Sequence, residues 1–476
     1  MLFNSLEFFV FLPVVFGLYW YVAARNLTAR NLLLLAASYV FYGWWDWRFL
    51  GLIIVSTVVD YLVGRGLAVT DAPGRRRLLL LTSLATNLGL LGFFKYWNFF
   101  IDSWVQAWGT LGVEMHPFTL QIILPVGISF YTFQTLSYTI DLYRRRIEAT
   151  RDPLAFAAFV AFFPQLVAGP IERAANLLPQ FSRAHVFSYR ESVEGLRQIL
   201  WGLFKKVVIA DQLAPYVDAI FAGYADAPGS VLAIGAVLFA FQIYCDFSGY
   251  SDIAIGTARL FGFRLMSNFR YPYFARDIGE FWRRWHISLS TWFRDYVYIP
   301  LGGSRGTRFM TFRNISIVFV VSGLWHGANW TFVAWGAIHA ALFLPSILRN
   351  RHRRHLDDAA ADSAIPTAIE AIRIAQTFAL VCVAWVFFRA ENITQAVGYL
   401  QSLVTAPFFA GFDAALLRPL ALVAALTGIE WLCRFRSYAL AGLSLPRPAR
   451  WMIYFGLGYW IVISARRTTE FIYFQF

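Results

Sequence analysis

Long stretches without Asp, Glu, Lys or Arg alternate with short charged clusters along most of the 476-residue chain. Each stretch has roughly the twenty residues that a helix needs to cross a bilayer. Backbone polar groups in lipid must be satisfied within the segment, and the runs are unlike the ten-residue alternation of a membrane barrel. The pattern therefore predicts an all-α, polytopic integral membrane protein. The clearest stretches lie between Glu114 and Asp141, Asp152 and Glu172, Asp226 and Asp246, Arg313 and Arg349, and Glu391 and Asp413.

Apolar periodicity predicts roughly eleven to fourteen membrane helices. Met1–Val22 is expected to be a retained first helix, because it lacks a basic start and a small-residue cleavage site. Pro164, Gly169 and Pro170 interrupt the apolar run at 153–176, which predicts a re-entrant segment. The predicted helices cover 6–23, 31–45, 50–68, 78–97, 119–141, 153–168, 195–222, 229–246, 310–326, 329–348, 368–388, 414–432 and 451–465.

Composition and charge narrow the class further. The chain is 58% hydrophobic and 14% charged, whereas soluble domains have about one quarter charged residues, so a water-soluble globule is excluded. The net charge of +13 falls in short loops, which the positive-inside rule assigns to the cytoplasm, so nucleic-acid binding is not implied. If these loops are cytoplasmic, the N-terminus faces outward. Counting the predicted membrane crossings from there places Arg466/Arg467 on the outer side, which conflicts with the positive-inside rule. The clusters are Arg25/Arg30, Arg75–Arg77, Arg144–Arg146 and Arg349–Arg354.

Ionisable side chains at membrane depth are costly and are therefore candidates for function. One group follows Asp277, which is predicted to cap a single amphipathic helix over Asp277–Trp292, with Glu280 completing a capping box. Its aromatic face includes Trp282 and turns His286 toward the protein. The opposite face carries basic residues, so the helix is expected to lie at the membrane interface. Those basic residues are Arg283, Arg284 and Arg294.

His326 is the second candidate, inside an uncharged stretch long enough for a hairpin of two helices. At 1.5 Å per residue it lies about 20 Å along a helix from the basic loop. Gly323 and Gly327 allow close approach of another backbone or a ligand. A neutral buried imidazole suits a general base, while a structural role or a proton relay is also open. His339 is about 220° further round a continuous helix and is expected to face elsewhere in a structural role.

The remaining signals are weaker. Asp246 and Asp252 could form a carboxylate pair, but no HExxH or related spacing supports a metal site. The three cysteines have no CxxC spacing, so neither a disulfide framework nor a zinc site is indicated. Nucleotide-binding and GxSxG motifs are absent, which argues against ATP-driven transport and serine hydrolysis.

Several long motifs nevertheless resemble one known family. The chain is similar to the membrane-bound O-acyltransferase (MBOAT) family, and within it to the bacterial alginate O-acetyltransferase subgroup. The resemblance spans nearly the whole chain. It is carried by MLFNSLEFFVFLPVVFGLYW at the start, LPVGISFYTFQTLSYTIDLYR, FFPQLVAGPIER, NFRYPYFARDIGEFW, FWRRWHISLSTWFRDYVYIPLGG, VSGLWHGANWTFVAWG, WVFFRAEN and the terminal FIYFQF.

The resemblance implies one membrane domain around a central tunnel, divided at 1–150, 151–350 and 351–476. It places the essential family histidine at His326 and a second polar position at His286, both as catalytic candidates. His326 would be the base on an acceptor hydroxyl, with His286 or Asn329 positioning the donor carbonyl. Candidate substrate-binding residues are Trp325, Asn329, Trp282, Arg283, Arg284 and Asp246, and no metal is expected.

The resemblance also implies the reactants and their location. The acyl donor is expected to be cytoplasmic acetyl-CoA or an acyl-carrier thioester, with no tightly bound cofactor. The acceptor is expected to be an extracytoplasmic polysaccharide, reached through a periplasmic partner acyltransferase, with the enzyme in the bacterial inner membrane among its lipids. Alginate, cellulose, peptidoglycan and D-alanyl transfer to teichoic acids stay open as acceptor chemistries. A transporter that uses His326 as a proton relay is the alternative from another class.

Overall fold

A computed structural model describes residues 1–23, 26–115, 120, 122–167, 169–348, 357–360, 363–409, 413–465 and 471–472. All regular secondary structure in these ranges is helical, which confirms the predicted all-α class. The described part divides into two compact units. The first comprises 1–195 and 257–266, and the second comprises 196–256 and 267–476. The three-part division expected from the sequence stays a prediction.

The first half of the chain forms nine α-helices in the described residues before residue 189. Their polar residues explain several boundaries: Asn26 caps α2 and Asp152 caps α7 through side-chain oxygens that accept backbone N–H groups. The helices are α1 (Leu6–Gly17), α2 (Leu27–Asp46), α3 (Leu50–Val69), α4 (Pro73–Leu91), α5 (Trp97–Gly109), α6 (Ile128–Tyr143), α7 (Pro153–Val160), α8 (Phe163–Leu166) and α9 (Ala174–Phe181).

The second half contains longer helices and a set of short ones around the candidate histidines. α10 and α11 are joined by a π-helical stretch at Phe204–Ala210, so they form one continuous rod. The helices are α10 (Tyr189–Leu203), α11 (Asp211–Ala222), α12 (Gly229–Leu260), α13 (Ile278–Arg284), α14 (Ile287–Phe293), α15 (Arg308–His326), α16 (Trp330–Leu348), α17 (Ala368–Arg389), α18 (Ile393–Thr405), α19 (Leu417–Leu432) and α20 (Arg447–Ser464).

Six helical stretches in the described ranges are long and apolar enough to cross a membrane by length and composition. This confirms a polytopic membrane protein, while the larger count of roughly eleven to fourteen passes stays a prediction. The described residues of the segment at 153–176 form the short helices α7 and α8 and the start of α9, and its predicted re-entrant position stays a prediction. The basic residues Arg349–Arg354 and Arg466/Arg467 lie outside the described residues. The six stretches are Leu27–Val69, Pro73–Gly109, Gly229–Leu260, Trp330–Leu348, Ala368–Arg389 and Ala414–Leu432.

The first unit has a buried polar cluster that the sequence analysis missed. Asp60 on α3 is fully buried and accepts hydrogen bonds from Ser83 at 2.5 Å and from Asn87 at 2.8 Å, both on α4. Ser56 on α3 in turn donates to Asn87 at 2.6 Å. In lipid such interhelical hydrogen bonds hold helices together, since the alternative is an unsatisfied polar group. We therefore assign this cluster to packing of α3 against α4.

Candidate active site

The α15–α16 hairpin brings His326 into the second unit's interior. α15 ends at His326, and α16 begins at Trp330, which confirms the predicted hairpin. Gly323 on α15 packs against the carbonyl oxygen of Phe332 on α16. A Cβ at Gly323 would collide with that oxygen, so glycine permits the two backbones to touch. Gly323 was expected to allow close approach of a backbone or a ligand, and in the structure it is the backbone of α16 that approaches.

Aromatic rings enclose the His326 imidazole. His326 is only 3% exposed to solvent. Its ring centroid lies 5.0 Å from that of Trp325, 5.1 Å from that of Trp335 and 5.3 Å from that of Phe388. A reaction at this ring would proceed in a largely water-excluded environment, which favours acyl transfer over hydrolysis.

His286 lies where two short helices meet, and this corrects the prediction of one helix over Asp277–Trp292. α13 ends at Arg284, and His286 has φ 42° and ψ 54° in the left-handed region before α14 begins. A non-glycine residue in this region is strained and needs surrounding structure to hold it there. The helical arithmetic failed because it assumed regular geometry through Trp285 and His286.

Asn268 supports this break from a neighbouring segment. Its backbone carbonyl accepts the N–H of Ile287 at 2.9 Å, and its side-chain oxygen accepts the Ser288 hydroxyl at 2.9 Å. The first N–H groups of a helix have no partner within the helix, so these contacts cap α14 from outside. The Asn268 amide also donates to Ser251 at 3.1 Å. Nothing in the local sequence around His286 indicated this distant cap.

The capping prediction for α13 is half right. The Asp277 side chain accepts the Glu280 N–H at 2.8 Å, as expected of an N-cap. The Glu280 carboxylate, however, accepts the N–H of Arg276 instead of returning to Asp277. The aromatic face is buried in the second unit as predicted, with Trp282 among its members, while the interfacial position of the segment stays a prediction.

The two candidate catalytic histidines lie together. Their ring centroids are 6.3 Å apart, close enough for one reacting group to contact both rings. His286 is fully buried, with the edge of Phe247 against its ring at 4.6 Å. Burial lowers the pKa of His286 to about 3, so its imidazole is neutral near pH 7. A neutral imidazole can accept or donate a hydrogen bond without bringing a charge into the site.

His339 lies on the same aromatic cluster, so the expectation that it faces elsewhere is wrong. The turn between α15 and α16 invalidates an angle measured along one continuous helix. The His339 ring lies 4.8 Å from that of Trp335, which also contacts His326. Its Nδ1 accepts the Trp282 indole N–H at 3.3 Å. Trp282, a predicted substrate contact, thus positions His339 in this structure.

Trp335 is a functional candidate that the sequence analysis missed. The residue is fully buried, and its indole N–H has no hydrogen-bond partner among the residues that the structure describes. A buried indole N–H ordinarily has a partner, so this donor is available to a bound molecule. Trp335 and His339 are four residues apart, and this spacing places them on one face of a helix. That spacing could have identified Trp335 from the sequence.

The other predicted substrate residues are engaged in structural contacts. The Asn329 side-chain oxygen accepts the Thr331 N–H at 3.0 Å, and its amide donates to the Glu391 carbonyl at 2.8 Å. Asp246 forms an ion pair with Lys206 at 2.7 Å. Trp325, by contrast, packs directly on the histidines at 5.0 Å from His326 and 5.8 Å from His286.

Asp246 and Asp252, which could have formed a carboxylate pair, have separate ionic partners. Asp252 forms its own ion pair with Lys205 at 2.7 Å, so each carboxylate has a separate lysine. Within the described ranges no group of three or more His, Cys, Asp or Glu side chains is arranged to hold a metal ion.

Arg283 and Arg284 have different environments in the structure. Arg283 is exposed, as predicted for the polar face, whereas Arg284 is buried, which corrects its predicted exposure. The Arg284 guanidinium lies 2.7 Å from the Glu280 carboxylate and 3.1 Å from that of Asp358. Arg276 shares Glu280 with it at 3.1 Å. Arg284 is thus engaged by protein carboxylates, whereas Arg283 presents its side chain to the surface.

This chain belongs to the membrane-bound O-acyltransferase family, whose model matches residues 144–386. The matched region contains both candidate histidines, and it confirms the resemblance found in the sequence motifs. The protein is a multi-pass membrane O-acyltransferase.

Individual relatives extend this similarity over most of the chain. It is 47% identical over 401 residues to the probable alginate O-acetylase AlgI of Azotobacter vinelandii, covering 83% of this chain and 76% of that protein. Identity to the protein of the same name from Pseudomonas aeruginosa is 45%, covering 83% and 73%. The peptidoglycan O-acetyltransferase of Helicobacter pylori is 38% identical over 437 residues, covering 85% and 80%.

Proposed function

We propose that this enzyme transfers acetyl groups from a thioester donor to hydroxyls of an alginate-like polysaccharide outside the cytoplasm. The observation that carries this proposal is the pair of neighbouring buried histidines, His286 and His326, in a chain 45–47% identical to proteins named probable alginate O-acetylase. Peptidoglycan is the second candidate acceptor, supported by the relative at 38% identity.

His326 is the proposed general base. The acceptor hydroxyl oxygen attacks the thioester carbonyl carbon while the imidazole takes the hydroxyl proton. The tetrahedral intermediate then breaks its carbon–sulfur bond, and the leaving sulfur takes the proton from His326. The products are an ester and a free thiol, so no proton is gained or lost overall. The aromatic enclosure of the ring supports this role, because it restricts the competing attack by water.

Trp335 and His286 are the proposed partners of the reacting carbonyl. Negative charge develops on that carbonyl oxygen during attack, and preorganised N–H donors stabilise it. The buried Trp335 N–H beside His326 suits this task, since no described protein group uses it. His286 reaches the same region and can donate when neutral. Asn329 is the weaker candidate for this role, because its amide already bonds to Thr331 and Glu391.

The proposed location is the bacterial inner membrane. A donor such as acetyl-CoA or an acyl-carrier thioester is cytoplasmic, whereas the polysaccharide lies outside, so the enzyme must join the two compartments. Arg283 is exposed and is the better placed of the two adjacent arginines to contact donor phosphates. We further propose that the acceptor hydroxyl at His326 belongs to a periplasmic acyltransferase, which then passes the acetyl group to the polysaccharide.

Reconstitution in liposomes tests this function. Acetyl thioester is supplied on one side, and alginate with periplasmic extract of the producing cells on the other. We expect free thiol to appear only when the acceptor side is complete, with acetyl esters on alginate. Intact donor crossing the bilayer without thiol release would identify a transporter, and acetylation of peptidoglycan fragments in place of alginate would reassign the acceptor.

A further inference from the structure

The second unit contains an apolar cavity of about 600 Å³ that is outside the histidine site. It lies between the start of α17 and the end of α19. Both helices belong to stretches long and apolar enough to cross a membrane, Ala368–Arg389 and Ala414–Leu432. Ligand pockets are typically about 300–1,000 Å³, mostly apolar and furnished with few polar groups, and this cavity matches that description. It is lined by Phe241, Tyr273, Phe274, Pro366, Ala371, Ile374, Ala375, Phe378, Thr427, Gly428, Glu430 and Trp431.

Five aromatic side chains make up much of the lining. The Tyr273 ring lies 5.0 Å from that of Phe378 and 5.3 Å from that of Phe241. Phe274 and Trp431 form a second pair at 5.1 Å. Aromatic faces carry negative electrostatic potential, and groups of such rings recognise ammonium ions in other proteins.

Glu430 is the single acidic or basic residue in this lining. It is 4% exposed and accepts the Tyr244 hydroxyl at 2.8 Å, which occupies one of about four acceptor positions on a carboxylate. No Lys or Arg nitrogen in the described residues lies within 4.0 Å of it to form an ion pair. Glu430 also borders a smaller polar cavity that Lys205 lines, so that lysine offsets part of the cost of burying the carboxylate. On the aromatic side the described lining offers no cation, and a cationic ligand there would relieve the remaining cost.

The position of Glu430 near the end of α19 indicates that the ligand comes from the membrane. Glu430 lies in the last turn of α19, where the negative end of the helix dipole also favours a cation. The ends of membrane-crossing helices lie at the level of lipid head groups. Ala371, Ala375 and Gly428 are exposed, so the cavity opens at the surface of the second unit.

We propose that this cavity binds an ammonium-bearing membrane amphiphile. Its ammonium group lies against Glu430 and the aromatic rings, and its alkyl chain extends along the apolar surface of α17 and α19. The site is independent of the acyl-transfer chemistry proposed above, because none of its lining residues belongs to the histidine cluster.

Photolabelling of the purified full-length protein in neutral detergent tests the proposal. Two diazirine probes share one long alkyl chain: the first carries an ammonium head, and the second carries a hydroxyl. We expect the ammonium probe to label α17 and α19 peptides about tenfold more than the hydroxyl probe, the ratio for one hydrogen bond to a charged group. Glu430→Gln retains an acceptor for Tyr244 and should abolish this preference.

A second variant tests the cavity itself. A Cβ at Gly428 meets no atom within 4 Å, so Gly428→Leu should fill the cavity without strain and reduce labelling by both probes. Gly456→Leu on α20 is the matched control, since Gly456 is also exposed, helical and open, and labelling should be unchanged. Equal labelling by the two probes in the wild type, or retention of the preference in Glu430→Gln, would overturn the proposal. Unchanged labelling in Gly428→Leu would show that the probes bind elsewhere.

Discussion

Replacing Trp335 with Phe removes a single hydrogen-bond donor from the proposed carbonyl site. Because the N–H has no partner among the described residues, its loss leaves no protein acceptor unsatisfied. If the N–H stabilises the developing negative charge, kcat should fall about 10²- to 10³-fold, the usual effect of deleting one such donor. The apparent KM for both substrates should change little, because this bond strengthens only in the transition state.

Trp385→Phe is the matched control. Trp385 is also fully buried, its N–H also lacks a partner in the described residues, and its ring stacks on Trp335 at 5.8 Å. Both substitutions remove the same atoms from the core, so each should cost about 1–3 kcal/mol of stability. Initial rates of thiol release and melting in detergent measure the two effects. Equal, small losses of kcat in both variants would refute a catalytic role for the Trp335 N–H.

Further predictions concern charge and topology. The pKa of His286 is lowered by burial to about 3, so the unfolded state binds more protons below pH 6.5 and stability should fall on acidification. Between pH 7 and 5 we expect the wild type to lose about 2 kcal/mol more stability than His286→Gln, measured by unfolding in detergent. Arg284→Gln should destabilise the fold by about 1–3 kcal/mol, because the buried Glu280 carboxylate loses one of its two arginine partners and keeps Arg276. Arg283→Gln should fold normally and raise only the donor KM; normal melting of Arg284→Gln would contradict the buried network. Cysteines placed beside Arg75–Arg77 should resist labelling from outside intact cells, and efficient labelling would reverse the predicted topology.

Hydropathy was sufficient to predict the fold class and the hairpin around His326. Uncharged runs and their interruptions reflect the cost of exposing polar groups to lipid, which acts directly on the sequence. Helix α18 at Ile393–Thr405 was missed, although its uncharged stretch was noted, because no periodicity separated it from the flanking loops. The cluster at Asp60 was missed for a different reason: its hydrogen-bond partners, Ser83 and Asn87, lie on a different helix more than twenty residues away in the sequence.

The sequence was sufficient to predict the two histidines of the candidate site. It was not sufficient to predict the contacts that hold them in place. The motifs pointed to His286 and His326, and the structure brings them together. The helix break at His286 depends on Asn268, a tertiary contact that no local pattern specifies. The burial of Arg284 likewise depends on Asp358, which is far away in the sequence.

We propose that His326 performs the chemistry and does not hold the fold together. The most direct measurement is thiol release from the acetyl thioester by purified His326→Ala, compared with the wild type and with His185→Gln, a control histidine of the first unit. We predict that His326→Ala melts within a few degrees of the wild type and releases no acceptor-dependent thiol, while His185→Gln retains activity. Acceptor-dependent release by a folded His326→Ala at a rate near that of the wild type would contradict a catalytic role for His326.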